Sequence, residues 1–398
     1  MKGKSNGGVR RLVLSGYYGF RNSGDEAVLL SILTALEQAA GDRGIRVEPI
    51  VLSGDPAWTE KQYGVRAVPR MKIGAIRQAL RESDGLISGG GSLLQDATGL
   101  GSIPYYLGVM ALARWAGKPT FVYAQGIGPV NRGMFRSPIA KAFRKAAYVS
   151  VRDAESAELL ARFGVPRDRI DVVPDPVMGL PLPEAEAPGG AAGRREPRAA
   201  TGEAPAGGSA GLEADKPALV GVSVRFWRGD RADLDRAAAA LAALARRRSV
   251  RLRLLPFHRG SDEEASRYVM ERLAGAGAEA ELAPAHEEPQ AMLREVDGCD
   301  LLVGMRLHSL IYAANREVPL LGISYDPKID QFLGWLGEKA AGTTEALDPE
   351  SFAERAAGLL DDPAGWSASA GDAIRRLKEE AARPAQRILQ LLTERDRG

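Results

Sequence analysis

The stretch from Asp300 to Asp330 constrains the fold more than any other part of this chain. Leu301 to Val303 is a short apolar run of the kind that fills a buried parallel strand, and Gly304 ends it. From Leu307 the apolar spacing lengthens, so that Leu307, Leu310, Ile311 and Ala314 share one helical face. Val318 to Ile323 is the next buried strand. The segment is therefore a βαβ unit, with Arg306 and His308 at its first strand-to-helix turn and Lys328 just past its second strand. Open α/β sheets bind ligands beyond the carboxyl ends of their strands, where a helix N-terminus adds amide N–H groups and a partial positive charge. An arginine, a histidine and a lysine at such ends suit a small, highly charged anion. Each alone has a bland explanation: a surface salt bridge, a structural histidine, a solvated loop lysine. Their coincidence on one unit favours a site.

The same alternation runs through the rest of the chain. Arg11 to Ser15 is a strand, residues 16–24 form a glycine-bearing loop, and Asp25 to Ala40 is a long amphipathic helix. Strand-like runs follow at Val47 to Leu52, Gly85 to Ser88, Thr120 to Ala124 and Tyr148 to Val151. Helical stretches separate them near Ile73 to Glu82, Tyr105 to Ala116, Ser137 to Ala146 and Asp153 to Phe163. This order implies a parallel sheet with helices on both faces. The glycines after the first strand do not have the Gly-x-Gly-x-x-Gly spacing, so no nicotinamide site is read there. Asp25 and Glu26 at the first helix start already supply the negative charge that the helix dipole favours. They suit hydrogen bonds to sugar hydroxyls, or removal of a hydroxyl proton, as well as plain charge complementarity. Gly89 to Ser92 and Gln125 to Pro129 are glycine turns at strand ends, and Arg152 ends another strand.

With 398 residues the chain is expected to hold two domains. These are residues 11–180 and 218–375, with a disordered tail at 1–10 and a terminal helix at 376–398 packing back on the first domain. Residues 184–217 are so poor in large apolar side chains that an unstructured insertion is expected. The second domain carries strands at Leu219 to Val224 and Arg251 to Leu255, with helices near Asp233 to Arg247 and Ser261 to Ala274. The 53 basic and 51 acidic residues nearly cancel, which argues against bulk nucleic-acid binding. A single cysteine, Cys299, excludes an intramolecular disulfide and fits a reducing compartment. No run approaches the ~20 apolar residues needed to span a bilayer, and Leu12 to Leu14 is too short for a signal-peptide core. A cytoplasmic protein is expected, with peripheral contact at the inner face of the membrane left open.

Four motifs carry a family resemblance. Residues 14–26, Gly89-Gly-Gly-Ser92, Ser150-Val-Arg-Asp153 and Gly304-Met-Arg-Leu-His308 together resemble the polysaccharide pyruvyl transferases. The likeness is to the CsaB type, which prepares bacterial cell-wall polysaccharide to anchor surface-layer proteins. The resemblance implies an α/β architecture like that of GT-B glycosyltransferases, with two Rossmann-like domains facing across a cleft. It implies phosphoenolpyruvate as donor and an N-acetylmannosamine residue of a secondary wall polysaccharide precursor as acceptor. A 4,6-linked pyruvate ketal would form with release of phosphate; whether the acceptor is lipid-linked stays open. On this basis Arg152, Arg306, His308 and Lys328 are expected to bind the donor in one pocket, arginine being suited to bidentate contacts. His308 is the candidate acid, since imidazole titrates near ~6.5; it could instead only hold the leaving phosphate. Asn22, Asp25, Glu26 and Gly91 are expected on the acceptor side, with Asp25 as the second catalytic group. No metal and no cofactor beyond the co-substrate are expected. A glycosyltransferase using a nucleotide sugar, or a non-catalytic sugar- or anion-binding protein, would share much of this pattern.

Overall fold

The structure, a computed structural model, describes residues 8–96, 99–182 and 216–395. The expected insertion at 184–217 lies outside the described residues except for 216 and 217, and so do residues 1–7 of the expected tail. The chain divides into two compact units.

Unit 1 comprises Met1–Pro181, Glu287–Pro289 and Arg375–Gly398. Its elements are β1 (Val9–Tyr18), α1 (Ser23–Gly41), β2 (Arg46–Ser53), α2 (Pro56–Tyr63), β3 (Arg66–Pro69), α3 (Ile73–Glu82), β4 (Gly85–Gly89), α4 (Ser102–Trp115), β5 (Thr120–Gln125), α5 (Arg136–Arg144), β6 (Tyr148–Val151), α6 (Ala154–Arg162) and β7 (Asp171–Val172). The strands form one sheet in the order β3-β2-β1-β4-β5-β6-β7, and every pairing is parallel. Order reverses between β1 and β4, which makes the crevice beyond their carboxyl ends the ligand position of a doubly wound sheet. Leu12, Val13, Leu14, Leu86, Ile87, Phe121 and Val122 have no exposed surface, as central strands covered on both faces require.

The structure corrects the first strand at both ends. Val9 and Arg10 pair with Arg46 and Val47, so the expected tail already belongs to the sheet there. Main-chain hydrogen bonds hold them, and no apolar pattern announces that. At the other end the strand runs on through Gly16 and Tyr17 to Tyr18, whose hydroxyl donates to the Gly89 carbonyl at 2.7 Å. The glycine loop shrinks accordingly to residues 19–22.

Unit 2 comprises Leu182–His286 and Gln290–Ile374. It contains β8 (Ala218–Ser223), α7 (Ala232–Arg247), β9 (Val250–Leu254), α8 (Ser261–Gly275), β10 (Ala280–Leu282), α9 (Pro289–Asp297), β11 (Leu301–Gly304), α10 (Leu307–Asn315), β12 (Leu320–Ser324), α11 (Pro327–Trp335), β13 (Gly342–Thr343) and α12 (Pro349–Asp361). Its sheet order, β10-β9-β8-β11-β12-β13, repeats that of unit 1 and is again all parallel. Its reversal lies between β8 and β11. The last helix, α13 (Pro363–Arg395), starts in unit 2 and belongs to unit 1 from Arg375 onward. Among the described residues no helix is long and apolar enough to cross a membrane.

Candidate functional site

In unit 1 the site is built at the order reversal, where the β1–α1 turn meets the loop after β4. Asn22 caps α1 by accepting the Gly24 N–H at 3.1 Å, which fixes the direction in which the first turn leaves the sheet. Asp25 and Glu26 follow in that turn and face different surroundings. Glu26 is fully buried. Its Oε1 accepts the N–H groups of Gly19, Phe20 and Arg21 at 2.9, 3.2 and 3.2 Å, and its Oε2 accepts the Tyr63 hydroxyl at 2.9 Å. Burial raises its pKa, while the Tyr63 hydroxyl and the three amides pull it back. Glu26 thus fastens the loop it follows, and both its oxygens are already engaged.

Asp25 keeps a partly exposed side chain although protein surrounds it on most sides. Burial pushes its carboxyl up to about 7; the Arg152 charge lowers it, and Glu26 and Asp175 raise it further. A carboxyl poised there can take or give a proton near neutral pH. The double glycine after β4 makes this position possible. Both glycines have positive φ, +66° at Gly90 and +70° at Gly91. A Cβ at Gly91 would stand 2.9 Å from Asp25 Oδ1, and one at Gly90 would overlap Val28 Cγ1 at 1.8 Å.

Arg152, from the end of β6, reaches the same place. Its Nη1 donates to Asp175 Oδ2 at 2.9 Å and its Nη2 to Ser92 Oγ at 2.8 Å. Both charged side chains are nearly buried, 9% and 5% exposed, so the pair fixes the guanidinium rather than decorating a surface. Among the described residues its Nε has no hydrogen-bond partner, and neither does the side-chain amide of fully buried Gln125 at the end of β5. Gly126 leaves room beside the guanidinium, since a Cβ there would lie 3.0 Å from Arg152 Nε. Unpaired buried polar groups cost about 1–3 kcal/mol each, a deficit that a ligand's oxygen atoms can remove.

Arg70 completes this edge from the end of β3. It is buried and has no carboxylate partner among the described residues; it donates to the Gly16 carbonyl at 3.1 Å and the Tyr106 hydroxyl at 3.3 Å. The rings of Tyr17, Phe20, Tyr105 and Tyr106 surround it, Tyr105 most closely at 4.4 Å. Tyr17 and Phe20 stack on each other at 4.1 Å and remain exposed. Exposed stacked rings beside a polar crevice suit the apolar face of a sugar.

In unit 2, Arg306 is the N-cap residue of α10 and His308 lies in that helix's first turn. Lys328 is not a loop residue: it sits in the first turn of α11, where its N–H donates to Asp326 Oδ1 at 3.0 Å. Pro327 at the helix start and Asp326 as cap are the signals that could have shown this. Arg306 forks onto both oxygens of Asp262, a fully buried carboxylate that also accepts the His258 N–H at 2.9 Å. The pair engages the Nε–Nη2 edge of the guanidinium and leaves the Nη1 side for another anion. Arg225, from the end of β8, donates to the Tyr325 hydroxyl at 2.9 Å and lies over the rings of Tyr325 and Trp227.

The expected residues therefore fall into two sets. Asn22, Asp25 and Gly91 lie with Arg152 at the order reversal of unit 1, where Glu26 is buried beneath the loop it holds, whereas Arg306, His308 and Lys328 occupy the ends of neighbouring strands in unit 2. Arg70 and Asp175 are not among the expected site residues, and Ser92 and Gln125 are foreseen only as members of strand-end glycine turns. Asp175 stands between two prolines just past a strand end, a pattern that marks a rigid turn and could have drawn notice. Among the described residues no group of three or more His, Cys, Asp or Glu side chains is arranged to hold a metal ion.

Comparisons with known proteins bear on fold and family separately. A search of curated protein sequences found no match. Solved structures similar to the chain include a glycosyltransferase from Rickettsia africae (12% identity, TM-score 0.61, covering 98% of this chain and 99% of that one). A UDP-GlcNAc 2-epimerase from Neisseria meningitidis bound to UDP-GlcNAc matches at 10% identity and TM-score 0.58, over 98% and 100% of the two chains. Anabaena HepE in complex with UDP-glucose matches at 15% identity and TM-score 0.57, over 97% and 99%. At such identities these likenesses concern the fold alone, two Rossmann-like units of the GT-B kind. The model of one sequence family, polysaccharide pyruvyl transferase, matches residues 22–327, from the cap of α1 to the first residue of α11. The chain belongs to the polysaccharide pyruvyl transferase family.

Proposed function

We propose that the protein transfers the enolpyruvyl group of phosphoenolpyruvate to an N-acetylmannosamine residue of a secondary cell-wall polysaccharide precursor, forming a 4,6-linked pyruvate ketal. Asp25 carries this reading: a carboxyl that burial pushes up to about 7, with the Arg152 guanidinium acting on it and the Gly91 backbone against its Oδ1, is equipped to handle hydroxyl protons. In the reaction two bonds form from C2 of the donor to two sugar oxygens, and the C2–phosphate oxygen bond breaks. One hydroxyl proton ends on the donor methylene, which becomes a methyl group, and the other leaves with phosphate. Asp25 accepts a proton from an attacking hydroxyl, and the Tyr17–Phe20 pair supports the sugar ring. In unit 2, Arg306 and Lys328 are the residues proposed to hold the donor's phosphate and carboxylate, with His308 protonating the methylene or holding the departing phosphate. In unit 1, Arg152 is the residue proposed to meet an anionic oxygen. Glu26 acts indirectly, by holding the loop that carries Phe20 and Arg21.

A nucleotide sugar is the competing donor, suggested by the UDP-sugar complexes among the fold neighbours. The test presents phosphoenolpyruvate or UDP-sugars together with a mannosamine-containing acceptor. Phosphate release that depends on the acceptor, with a ketal detected by mass and NMR, is the expected result. Release of UDP, or binding without turnover, would replace this reading with a glycosyltransferase or a non-catalytic binding protein.

A further inference from the structure

Four of the ten large apolar side chains exposed among the described residues gather at one edge of unit 1. Met71 (75% exposed) and Ile73 (61%) lie at the start of α3, Leu100 (54%) just before α4, and Met134 (73%) just before α5. These three helices follow β3, β4 and β5 of an all-parallel sheet, so all start at its carboxyl edge. They also pack side by side, α3 on α4 and α4 on α5. At the usual interaxial spacing of about 8–10 Å the four side chains span roughly 20 Å. The loops that bear them are tied together. The Tyr105 hydroxyl donates to the Arg70 carbonyl at 3.0 Å, and Asp96 accepts the N–H groups of Asn131 and Arg132 at 2.9 and 2.8 Å.

Exposed charge on this edge has one sign, the acidic Asp96 of these loops being buried against the Asn131 and Arg132 N–H groups. Lys72, Arg77, Arg132 and Arg136 are exposed, and residues 70–77, 99–105 and 129–138 contain no acidic side chain. The helix starts agree. α3, α4 and α5 have neither a side-chain cap bond nor an acidic residue in the first turn. In contrast, Asn22, Asp55 and Asp153 cap α1, α2 and α6. Isolated apolar side chains set among cations, with no exposed acidic residue in the segments that carry them, fit the boundary between lipid headgroups and acyl chains. A protein interface would instead gather its apolar groups into a core depleted of charge.

We propose that this edge docks unit 1 on the surface of an anionic lipid bilayer. The proposal goes beyond the transfer reaction and does not depend on which donor or acceptor sugar is used. The full chain is tested by flotation with phosphatidylglycerol-rich vesicles and with phosphatidylcholine vesicles. Preferential, salt-sensitive binding to the anionic vesicles is expected. The double variants Met71→Ser/Ile73→Ser and Lys72→Glu/Arg136→Glu should each lower that binding by about tenfold or more, since each basic residue near an anionic surface contributes noticeably. Trp115→Ser, at the opposite end of α4 and 80% exposed, should bind like wild type. All the substituted side chains are exposed, so unchanged melting is expected and serves as the folding control. Lack of binding, equal binding to both vesicle types, or unchanged binding by the double variants would overturn the proposal. So would dimerisation that the double variants abolish, which would assign the edge to a second copy of the chain. Phosphate release with a soluble acceptor, measured on the same proteins, separates failure of docking from failure of the reaction.

Discussion

Asp25 should make the protein less stable as pH rises, and Asp25→Asn should remove that dependence. Its folded pKa of about 7 lies above the ordinary carboxyl value of 3.8, so the folded chain binds more protons than the unfolded chain between those two pH values. The contribution to stability is therefore complete below pH ~4 and is lost as pH rises through ~7. The whole shift corresponds to about 4 kcal/mol at 1.36 kcal/mol per unit, a ceiling that the side chain's residual contact with water lowers. Between pH 5 and pH 8 the wild type should lose roughly 2–3 kcal/mol on this account. Asparagine has nearly the same shape and no charge to desolvate. Asp25→Asn should accordingly gain that much relative to wild type over the same interval, and it should be at least as stable at pH 8. Urea unfolding of both proteins at pH 5 and pH 8, followed by a probe in unit 1, measures the difference directly. Parallel pH dependence in the two proteins would refute the claim that the Asp25 carboxyl is strongly desolvated.

Further outcomes follow from neighbouring contacts. The pH–rate profile should rise to a plateau through about 7 if ionised Asp25 is the base. Arg152→Gln should move that limb to higher pH and Asp175→Asn to lower pH, because Arg152 lowers and Asp175 raises the Asp25 pKa; shifts in the same direction would contradict the electrostatic assignment. Glu26→Ala should reduce stability by about 3–5 kcal/mol, since it removes the acceptor of three loop amides and of the Tyr63 hydroxyl, and thermal melting would show it. Gly91→Ala should depress turnover more than melting, because its Cβ would press on Asp25 Oδ1. Arg306→Ala is expected to destabilise unit 2 by about 3–5 kcal/mol, for it leaves the buried Asp262 carboxylate unpaired. From sequence alone that variant is expected to leave the fold intact. Donor affinity is therefore better probed in Lys328→Ala.

Much of the fold is legible in the sequence because burial on both faces leaves unbroken apolar runs. Leu301 to Val303 and Thr120 to Ala124 are of this kind, and Tyr148 to Val151 matches its strand end for end. α3 announces itself through Ile76, Ala79 and Leu80 on one face. α2 and β3 leave no such trace: α2 buries only Thr59 and β3 has four residues. At the site, residue types at strand ends point to Asp25, Arg152 and Arg306, but their partners do not show. Glu26 is held by main-chain N–H groups, which any residue possesses. Arg306 meets Asp262 across 44 positions, and Arg152 meets Asp175 across 23. Adjacent carboxylates in one helical turn therefore look equivalent in sequence, and only tertiary contacts separate the loop fastener from the titrating group.

The central claim is that Asp25 takes a hydroxyl proton during transfer from phosphoenolpyruvate. Its most direct measurement is acceptor-dependent phosphate release by wild type and Asp25→Asn, with donor affinity titrated in parallel. A general base contributes about 10²–10⁴ in rate, so turnover should fall by that factor while the donor Kd stays within a few-fold. Turnover within about tenfold of wild type, or loss of phosphoenolpyruvate binding in Asp25→Asn, would contradict the account.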